Sequence, residues 1–313
     1  MIFARLKGER GQAFVLMAVA LVALCGMAAL VVDVGNWYRD KRRLQGTADA
    51  AALAGAQVLP DDPNGAKSLA LTYANRNGGD VAGASIVVSS TYGASDTISV
   101  SGQRSDSGIF SNIIGFAGAN ITASAKARVG VPQSVLHVAP MVVSCNHPLI
   151  QNCNNATKLP VFNIPTVLNY DPMGAPGAFG MLNLSKGGGT PGSSEEANWI
   201  QYGYSAYLDV NKDYLSDPGA KFSSNEVQSA LQSRLDGDPV LLFPVFKTLN
   251  GQGQNAQYYI IGWIGFHLTA YVMQGNNAVL TGYFTTYIAQ GVLASGSALG
   301  STNFGVKSIQ LIE

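Results

Sequence analysis

The residues of this sequence best suited to chemistry are two cysteines, Cys145 and Cys153, in the segment CNHPLIQNC. If this part of the chain lies in an oxidising compartment, the seven residues between them make a loop that a disulfide closes easily. His137 and His147 lie close by in sequence and are, with two thiolates, donors that zinc prefers, although the spacing matches no standard zinc motif. Two unpaired thiols are a third interpretation of this disulfide candidate.

A second group of donors lies in DVNKDYLSD, at Asp209, Asn211, Asp213 and Asp217. Oxygen atoms at alternate positions of a loop can surround calcium, a hard cation that prefers oxygen ligands. Tyr214 stands where such loops need glycine, and no glutamate follows at the closing position. We therefore interpret the segment as a polar turn, with calcium binding between Asp209 and Asp217 as the alternative.

Signals for catalysis are weak. The chain has 3 histidines and no Gly-x-Ser-x-Gly motif, so no nucleophile is paired with a placed base. His267 lies in a strand-like run, and the glycine-rich segment 186–194 lacks the ending of a phosphate-binding loop. We therefore predict that the protein is not an enzyme and that it binds no cofactor. Equal numbers of basic and acidic residues, 19 each, also argue against nucleic acid as a partner.

The element that must position the rest is the uncharged apolar run from Ala13 to Val32. At about 1.5 Å per residue, these residues span roughly 30 Å, the thickness of the hydrocarbon core of a bilayer. No clear cleavage site follows the run, which favours an uncleaved transmembrane helix at 13–32 behind a cytoplasmic tail at 1–12. The run therefore predicts a single-pass protein of the cytoplasmic membrane.

Basic residues flank both ends of this span, so charge alone leaves its orientation open. The chain from residue 44 onward is sparsely charged, with 12 basic and 16 acidic residues, and the sequence is rich in glycine and asparagine. We therefore expect the C-terminal body to lie outside the cytoplasm.

The helix is predicted to continue beyond the span to Leu59, with Pro60 and Pro63 ending it. An apolar row recurs every seven residues, at Leu30, Trp37, Leu44, Ala51 and Val58. The row packs on the protein's own sheet, against neighbouring helices in an assembly, or both. Three alanines would permit close approach of neighbouring helices: Ala48, Ala52 and Ala56.

The predicted fold class is α+β, with a pilin-like α/β domain at 33–131 and a mostly antiparallel β domain at 132–313. In the first domain we expect helices at 66–75 and 109–116 and strands at 85–90, 97–103 and 120–129. In the second we expect strands at 135–144, 179–184, 240–246, 258–273, 279–289 and 304–312. Two helices interrupt these strands, at 194–200 and at 225–235, the second with Ser224 as its N-cap. A sandwich or barrel-like arrangement follows, whose strand order the pattern leaves open.

The segment DVGNWYRDKRRLQGTADAAALAGA, at 33–56, resembles the hallmark of the TadE/TadG-like proteins of the Tad, or Flp, pilus assembly system. Its motif positions here are Asp33, Gly35, Asp49 and Gly55. The resemblance implies a membrane-anchored, exported structural or accessory component that acts beside pilins and other Tad assembly proteins. The chain lacks the glutamate that follows the cleaved glycine of pilins, and it lacks the Asp-x-Ser-x-Ser motif of some larger relatives.

The leading hypothesis is therefore an assembly component that acts by helix packing and subunit contacts, in a homo- or hetero-oligomer. The alternative is an anchored adhesin or ligand-binding module with an aromatic β face between Tyr258 and Tyr287. Aromatic residues at every second position more often form the core of a sheet than a binding surface.

Overall fold

The computed structural model describes residues 10–115, 118–151, 153, 158–185, 189–274, 277–293 and 302–312. The described residues cluster in two compact units. Unit 1 comprises Met1–Val88, Ile98–Ala127 and Leu311–Glu313, and unit 2 comprises Ser89–Thr97 and Arg128–Gln310. The predicted α+β class with a long apolar N-terminal helix is confirmed. The predicted domain limits at 33–131 and 132–313 stay a prediction.

Unit 1 contains two α-helices, α1 (Arg10–Ala56) and α2 (Pro63–Arg76). The helix α1 ends at Ala56, three residues before the predicted end at Leu59. Both prolines that were predicted to end this helix lie beyond its last residue, and Pro63 lies in the first turn of α2, where its missing N–H leaves no bond unmade. Asp62 caps α2 and accepts a hydrogen bond of 2.8 Å from the backbone N–H of Gly65.

Three strands follow α2: β1 (Ile86–Ser89), β2 (Thr97–Asp106) and β3 (Ala119–Gly130), adjacent in this order in one sheet. Short 3₁₀ helices lie at Gly83–Ser85 and Ser111–Ile114. The second replaces most of the helix predicted at 109–116, of which Phe116 lies outside the described residues. It ends at Gly115, whose φ of 81° suits a residue without a side chain.

The remaining strands are β4 (Pro132–Val135), β5 (Met141–Ser144), β6 (Pro165–Tyr170), β7 (Ala178–Met181), β8 (Leu208–Asp209), β9 (Lys212–Leu215), β10 (Val240–Asn250), β11 (Gln257–Gln274), β12 (Asn277–Thr285), β13 (Tyr287–Ile288), β14 (Gly291–Leu293) and β15 (Val306–Leu311). In unit 2 the strands β10, β5, β7, β6, β12 and β11 form a closed ring, because β11 also pairs with β10. The pairs β10–β5 and β6–β7 are parallel, and the other pairs in the ring are antiparallel. The barrel-like expectation therefore holds for this ring.

Two helices accompany the ring, α3 (Ser193–Tyr202) and α4 (Asn225–Asp236). The predicted N-cap of α4 is confirmed, since the hydroxyl of Ser224 accepts a hydrogen bond of 3.2 Å from the backbone N–H of Val227. Val227 and Leu231 of α4 and Ile200 of α3 belong to the same buried cluster as the strand residues Phe243 and Phe266. The helices therefore cover one face of the ring.

Several strand predictions were incomplete. The predicted strand at 135–144 is split into β4 and β5, and His137 between them has a left-handed φ of 59°. The predicted strand at 279–289 is similarly divided into β12 and β13. Four strands were missed, namely β6, β8, β9 and β14. Each is short or carries mostly exposed residues, so its apolar pattern is weak.

Candidate functional site

The helix α1 has two chemically different parts. From Phe14 to Val34 its large apolar side chains are exposed, Phe14 at 75% and Leu30 at 43%. By length and composition this is the one described helix that could cross a membrane. From Leu44 to Ala56 one side of the helix is buried against the rest of unit 1. The candidate site is the transition between these parts and the segments that hold it.

Asp33 lies at this transition and is fully buried. Its carboxylate accepts hydrogen bonds from three consecutive backbone N–H groups, at 2.9 Å from Ile109, 2.9 Å from Phe110 and 2.6 Å from Ser111. These groups begin the 3₁₀ helix Ser111–Ile114, whose first donors have no partner within that helix. Asp33 therefore fastens the loop between β2 and β3 to α1.

Gly108 brings the same loop close to α1. A Cβ atom there would lie 3.0 Å from Oδ2 of Asp33 and 3.2 Å from Cζ2 of Trp37, and φ is +65°. A side chain would therefore push the loop away from Asp33. Trp37 is half-buried and packs on the buried cluster of Leu44, Ile121 and Ala123.

Polar contacts continue this attachment along α1. Arg104 of β2 lies 3.7 Å from the carboxylate of Asp40 and 3.2 Å from that of Asp80. The Lys41 ammonium donates to the carbonyl of Thr122. The Gln45 amide donates to the carbonyl of Ser124 at 2.8 Å and to Asp49 at 2.8 Å. The successive contacts set the register of β2 and β3 against the helix.

The two motif glycines on α1 have different surroundings. A Cβ on Gly55 would lie 2.6 Å from Ile98 Cδ1, 2.8 Å from the carbonyl oxygen of Ala66 and 3.1 Å from Ala70 Cβ. Gly35 has no such neighbour within 4 Å among the described atoms. Gly55 therefore permits close packing of α1 on α2, whereas Gly35 lies on the exposed part of the helix.

The structure divides the predicted packing residues. Leu44, Ala48, Ala51, Ala52 and Ala56 are buried within unit 1 itself, where Ala66, Ala70 and Ala74 of α2 are also buried. Ala48, Ala52 and Ala56 are therefore covered by the chain itself, and the expectation that they permit close approach of neighbouring helices stays a prediction. Leu30 is exposed, Trp37 is half-buried, and Val58 lies beyond the helix end.

Cys145 and Cys153 form a disulfide with a Cα–Cα distance of 5.0 Å. The zinc alternative fails because both thiols are used and the two histidines have other contacts. His137 Nδ1 lies 3.2 Å from the carbonyl oxygen of Tyr202, and His147 Nδ1 accepts from the N–H of Leu149 at 3.1 Å. In the part of the chain that the structure describes, no group of three or more metal-binding side chains is found.

The residues between Asp209 and Asp217 do not converge on one point. Asp209 accepts hydrogen bonds from Lys212 and Ser134, and these two contacts lower the pKa of its carboxyl group. Asp217 is buried and interacts with Glu196 instead. Asp209 and Asp217 therefore have different partners, and the structure lends no support to the calcium alternative.

The buried pair of Glu196 and Asp217 was not predicted. Glu196 on α3 accepts a hydrogen bond of 2.8 Å from the backbone N–H of Lys221, whose ammonium lies 3.9 Å away. Burial raises the pKa of Glu196 to about 7, and the neighbouring Asp217 carboxyl acts in the same direction. The sequence signal that could have identified Glu196 was its position four residues before Ile200, on the buried face of a predicted helix.

Part of the aromatic side chains proposed as a binding face lies inside unit 2. Tyr258, Trp263, Phe266 and Phe284 are at most 1% exposed. His267 stacks on Tyr283 with ring centroids 4.6 Å apart. These four side chains are part of the core, whereas the tyrosines at 259, 271, 283 and 287 are half-buried. The adhesin alternative stays a prediction.

These features define a protein with one long apolar helix suited to membrane anchoring and two folded units. Residues 11–58 match the family model described as Putative Flp pilus-assembly TadE/G-like. Searches of curated proteins and of solved structures give no match. The chain thus carries a TadE/G-like segment that coincides with nearly all of α1, and the predicted resemblance is confirmed. This match supports a Tad pilus-related structural component rather than an enzyme.

Proposed function

We propose that the chain is a membrane-anchored, exported structural component of Tad, or Flp, pilus assembly or secretion. The observation that carries the proposal is the coincidence of the family match at 11–58 with α1. The helix has an exposed apolar part that fits a bilayer and a small-residue part that unit 1 uses for its own folding. Anchoring and folding are therefore combined in the segment that the family shares.

The proposed mechanism is positional. The span at 13–32 crosses the cytoplasmic membrane and packs laterally with helices of pilins, other assembly proteins or further copies of the chain. Because Ala48, Ala52 and Ala56 are covered, the lateral contact is assigned to the exposed part around Leu30. In a bilayer such contacts depend on close packing at small residues, and Gly26 is the one glycine in the span.

The proposed orientation keeps the tail at 1–12 in the cytoplasm and the body outside. The Cys145–Cys153 disulfide supports this, because disulfides persist in oxidising compartments and are rare in the cytosol. Alkaline extraction of membranes, followed by thiol labelling with and without reductant, tests both statements. We expect the full chain in the membrane pellet and Cys145 and Cys153 protected until reduction. A chain released by alkali would contradict the anchoring. Labelling of Cys145 or Cys153 without reductant would contradict the export, whereas label on the free Cys25 is not counted.

The assembly role is tested in a strain that lacks this gene, complemented with the Gly26→Leu variant and with Val22→Leu as the matched control. Both changes keep the span apolar, so insertion is retained. We expect Gly26→Leu to reduce piliation roughly tenfold, corresponding to loss of a helix contact of about 1–2 kcal/mol. Val22→Leu should leave piliation unchanged. Normal pili with Gly26→Leu would refute lateral packing at this position, and normal pili without the gene would refute the assembly role.

A further inference from the structure

Two large apolar side chains lie exposed in the loop that Asp33 fastens to α1. Ile109 is 64% exposed and Phe110 is 39% exposed, although both belong to a short turn between two strands. Their backbone N–H groups are bound by the Asp33 carboxylate, so the turn is ordered and its side chains are directed outward. Apolar residues held in this way on a surface indicate a contact with an apolar partner.

The contacts along α1 determine where this loop lies along the axis of the helix. On β2, a Cβ at Gly102 would lie 2.7 Å from Leu44, Arg104 reaches Asp40, and the loop beyond it reaches Asp33. The strand therefore runs toward the apolar end of α1, and β3 returns beside Lys41 and Gln45. The tip lies beside Asp33, the first charged residue after the uncharged run at 13–32.

The surroundings of the tip have the chemistry of a membrane interface. Trp37 and Tyr38 lie four and five residues after Asp33, about one helical turn further along α1, and these residue types are enriched where lipid headgroups begin. A cleft of about 380 Å³ beside Gly108 and Ile109 is lined by three arginines and two aspartates: Arg39, Arg43, Arg104, Asp40 and Asp106. Arginine is suited to phosphate groups, and its long side chain can reach toward them from a neighbouring helix turn.

We propose that Ile109 and Phe110 form a second membrane contact, inserting into the interfacial layer of the leaflet from which α1 emerges. The partner is the phospholipid bilayer that holds α1, and Arg39 in the adjoining cleft faces its phosphate groups. The inference rests on the proposed anchoring by α1 and is independent of the role in pilus assembly. Two attachment points, the span and the loop, would fix the tilt of unit 1 on the membrane.

The test uses the full chain reconstituted in phosphatidylcholine–phosphatidylglycerol vesicles that contain lipids carrying a nitroxide near the headgroup. A fluorescent label is attached at Ile109→Cys in a Cys25→Ala background, with the Cys145–Cys153 disulfide kept oxidised. The matched control is Val87→Cys on β1, a site that is 51% exposed. Val87 lies two residues after Ser85, whose hydroxyl donates to the carbonyl of Ser101 on β2, away from the loop at Ile109. We expect quenching about threefold stronger at position 109 than at position 87.

Labelled Cys25 in the otherwise native chain reports the anchoring itself, because it lies within the exposed apolar part of α1. If Cys25 is protected from water and position 109 is no more quenched than position 87, the second contact is refuted while the anchor stands. If Cys25 is freely accessible to water, both statements fail.

A second measurement addresses the arginine cleft. Arg39→Glu should reduce the quenching at position 109 about twofold, because the carboxylate repels the lipid phosphates. Arg76→Glu on α2 is the charge-matched control and should leave it unchanged, since Arg76 lies at the end of α2 and stacks on Tyr73. An equal effect of both variants would refute the specific role of Arg39.

Discussion

The cores of the two units are built from different residues. In unit 1 the packing of α1 on α2 consists of buried alanines, among them Ala52 and Ala70, with Gly55 at the closest approach. In unit 2 the largest buried side chains are aromatic, among them Trp263 and Phe266. Small residues hold a unit together by bringing backbones close, whereas aromatic residues do so by burying large areas. Unit 1 should therefore be destabilised by an increase in side-chain volume, and unit 2 by a decrease.

Removing volume should have its largest effect in unit 2. Phe266 stacks on Phe243 at 5.1 Å between centroids and contacts Phe284 edge-on at 5.5 Å. We expect Phe266→Ala to lower the free energy of unfolding by about 3–5 kcal/mol, because it leaves a cavity that the strands cannot close. Thermal unfolding in detergent micelles, followed by near-ultraviolet circular dichroism, measures the loss.

The matched control is Met173→Ala in the same unit, at a side chain that is 74% exposed. It should change the free energy of unfolding by less than about 0.5 kcal/mol. Equal effects of the two substitutions would contradict an aromatic core as the source of stability in unit 2.

Adding volume should be harmful in unit 1. We expect Gly55→Ala to destabilise the packing of α2 by about 1–3 kcal/mol, because the new Cβ would lie 2.8 Å from a backbone oxygen of α2, which cannot move alone. Hydrogen exchange of α2 peptides, read by mass spectrometry, should increase accordingly.

Gly46→Ala on the same helix is the control, since no atom lies within 4 Å of the new Cβ. This variant should stabilise α1 by about 0.5–1 kcal/mol through helix propensity. Faster exchange in Gly46→Ala than in Gly55→Ala would overturn the proposed role of close packing.

The smallest predicted effect concerns the pH dependence of the stability of unit 2. The pKa of Glu196 is raised from the ordinary 4.5 to about 7, by burial and by Asp217, so folded unit 2 retains a proton that the unfolded chain loses. The free energy of unfolding should therefore fall as the pH rises from about 4.5 to 7. Glu196→Gln should remove this slope and leave the unfolding temperature higher at pH 7.

Asp209→Asn is the contrasting variant. Because Lys212 and Ser134 lower the pKa of Asp209, its contribution is lost only as the pH falls through the acidic range. The slope of the free energy of unfolding against pH that is due to Asp209 should thus lie below the usual titration range of an aspartate, and Asp209→Asn should remove it. A stability curve that stays flat from pH 5 to 7 in the wild-type chain would contradict the raised pKa of Glu196.

Sequence reasoning succeeded where one local signal dominated. The uncharged run of α1, the long alternating strand β11 and the Ser224 cap each depend on neighbouring residues alone, and each was predicted close to its observed position. It was less successful for β6 and β9, whose pairing partners lie far away in the chain. Alternation along a strand identifies its faces but carries no information about which strand lies beside it.

The amino-acid sequence by itself determined the apolar span, the α+β class and the resemblance at 33–56, because these follow from composition, periodicity and a contiguous motif. Only the tertiary structure decided which side of α1 is covered by the protein itself, and that Asp33 binds the loop at Ile109 and Phe110. Asp33 and this loop are more than seventy residues apart in the sequence, so the contact between them depends on the register of β2 and β3 against the helix. Such a register is set by packing and hydrogen bonds that no local pattern encodes.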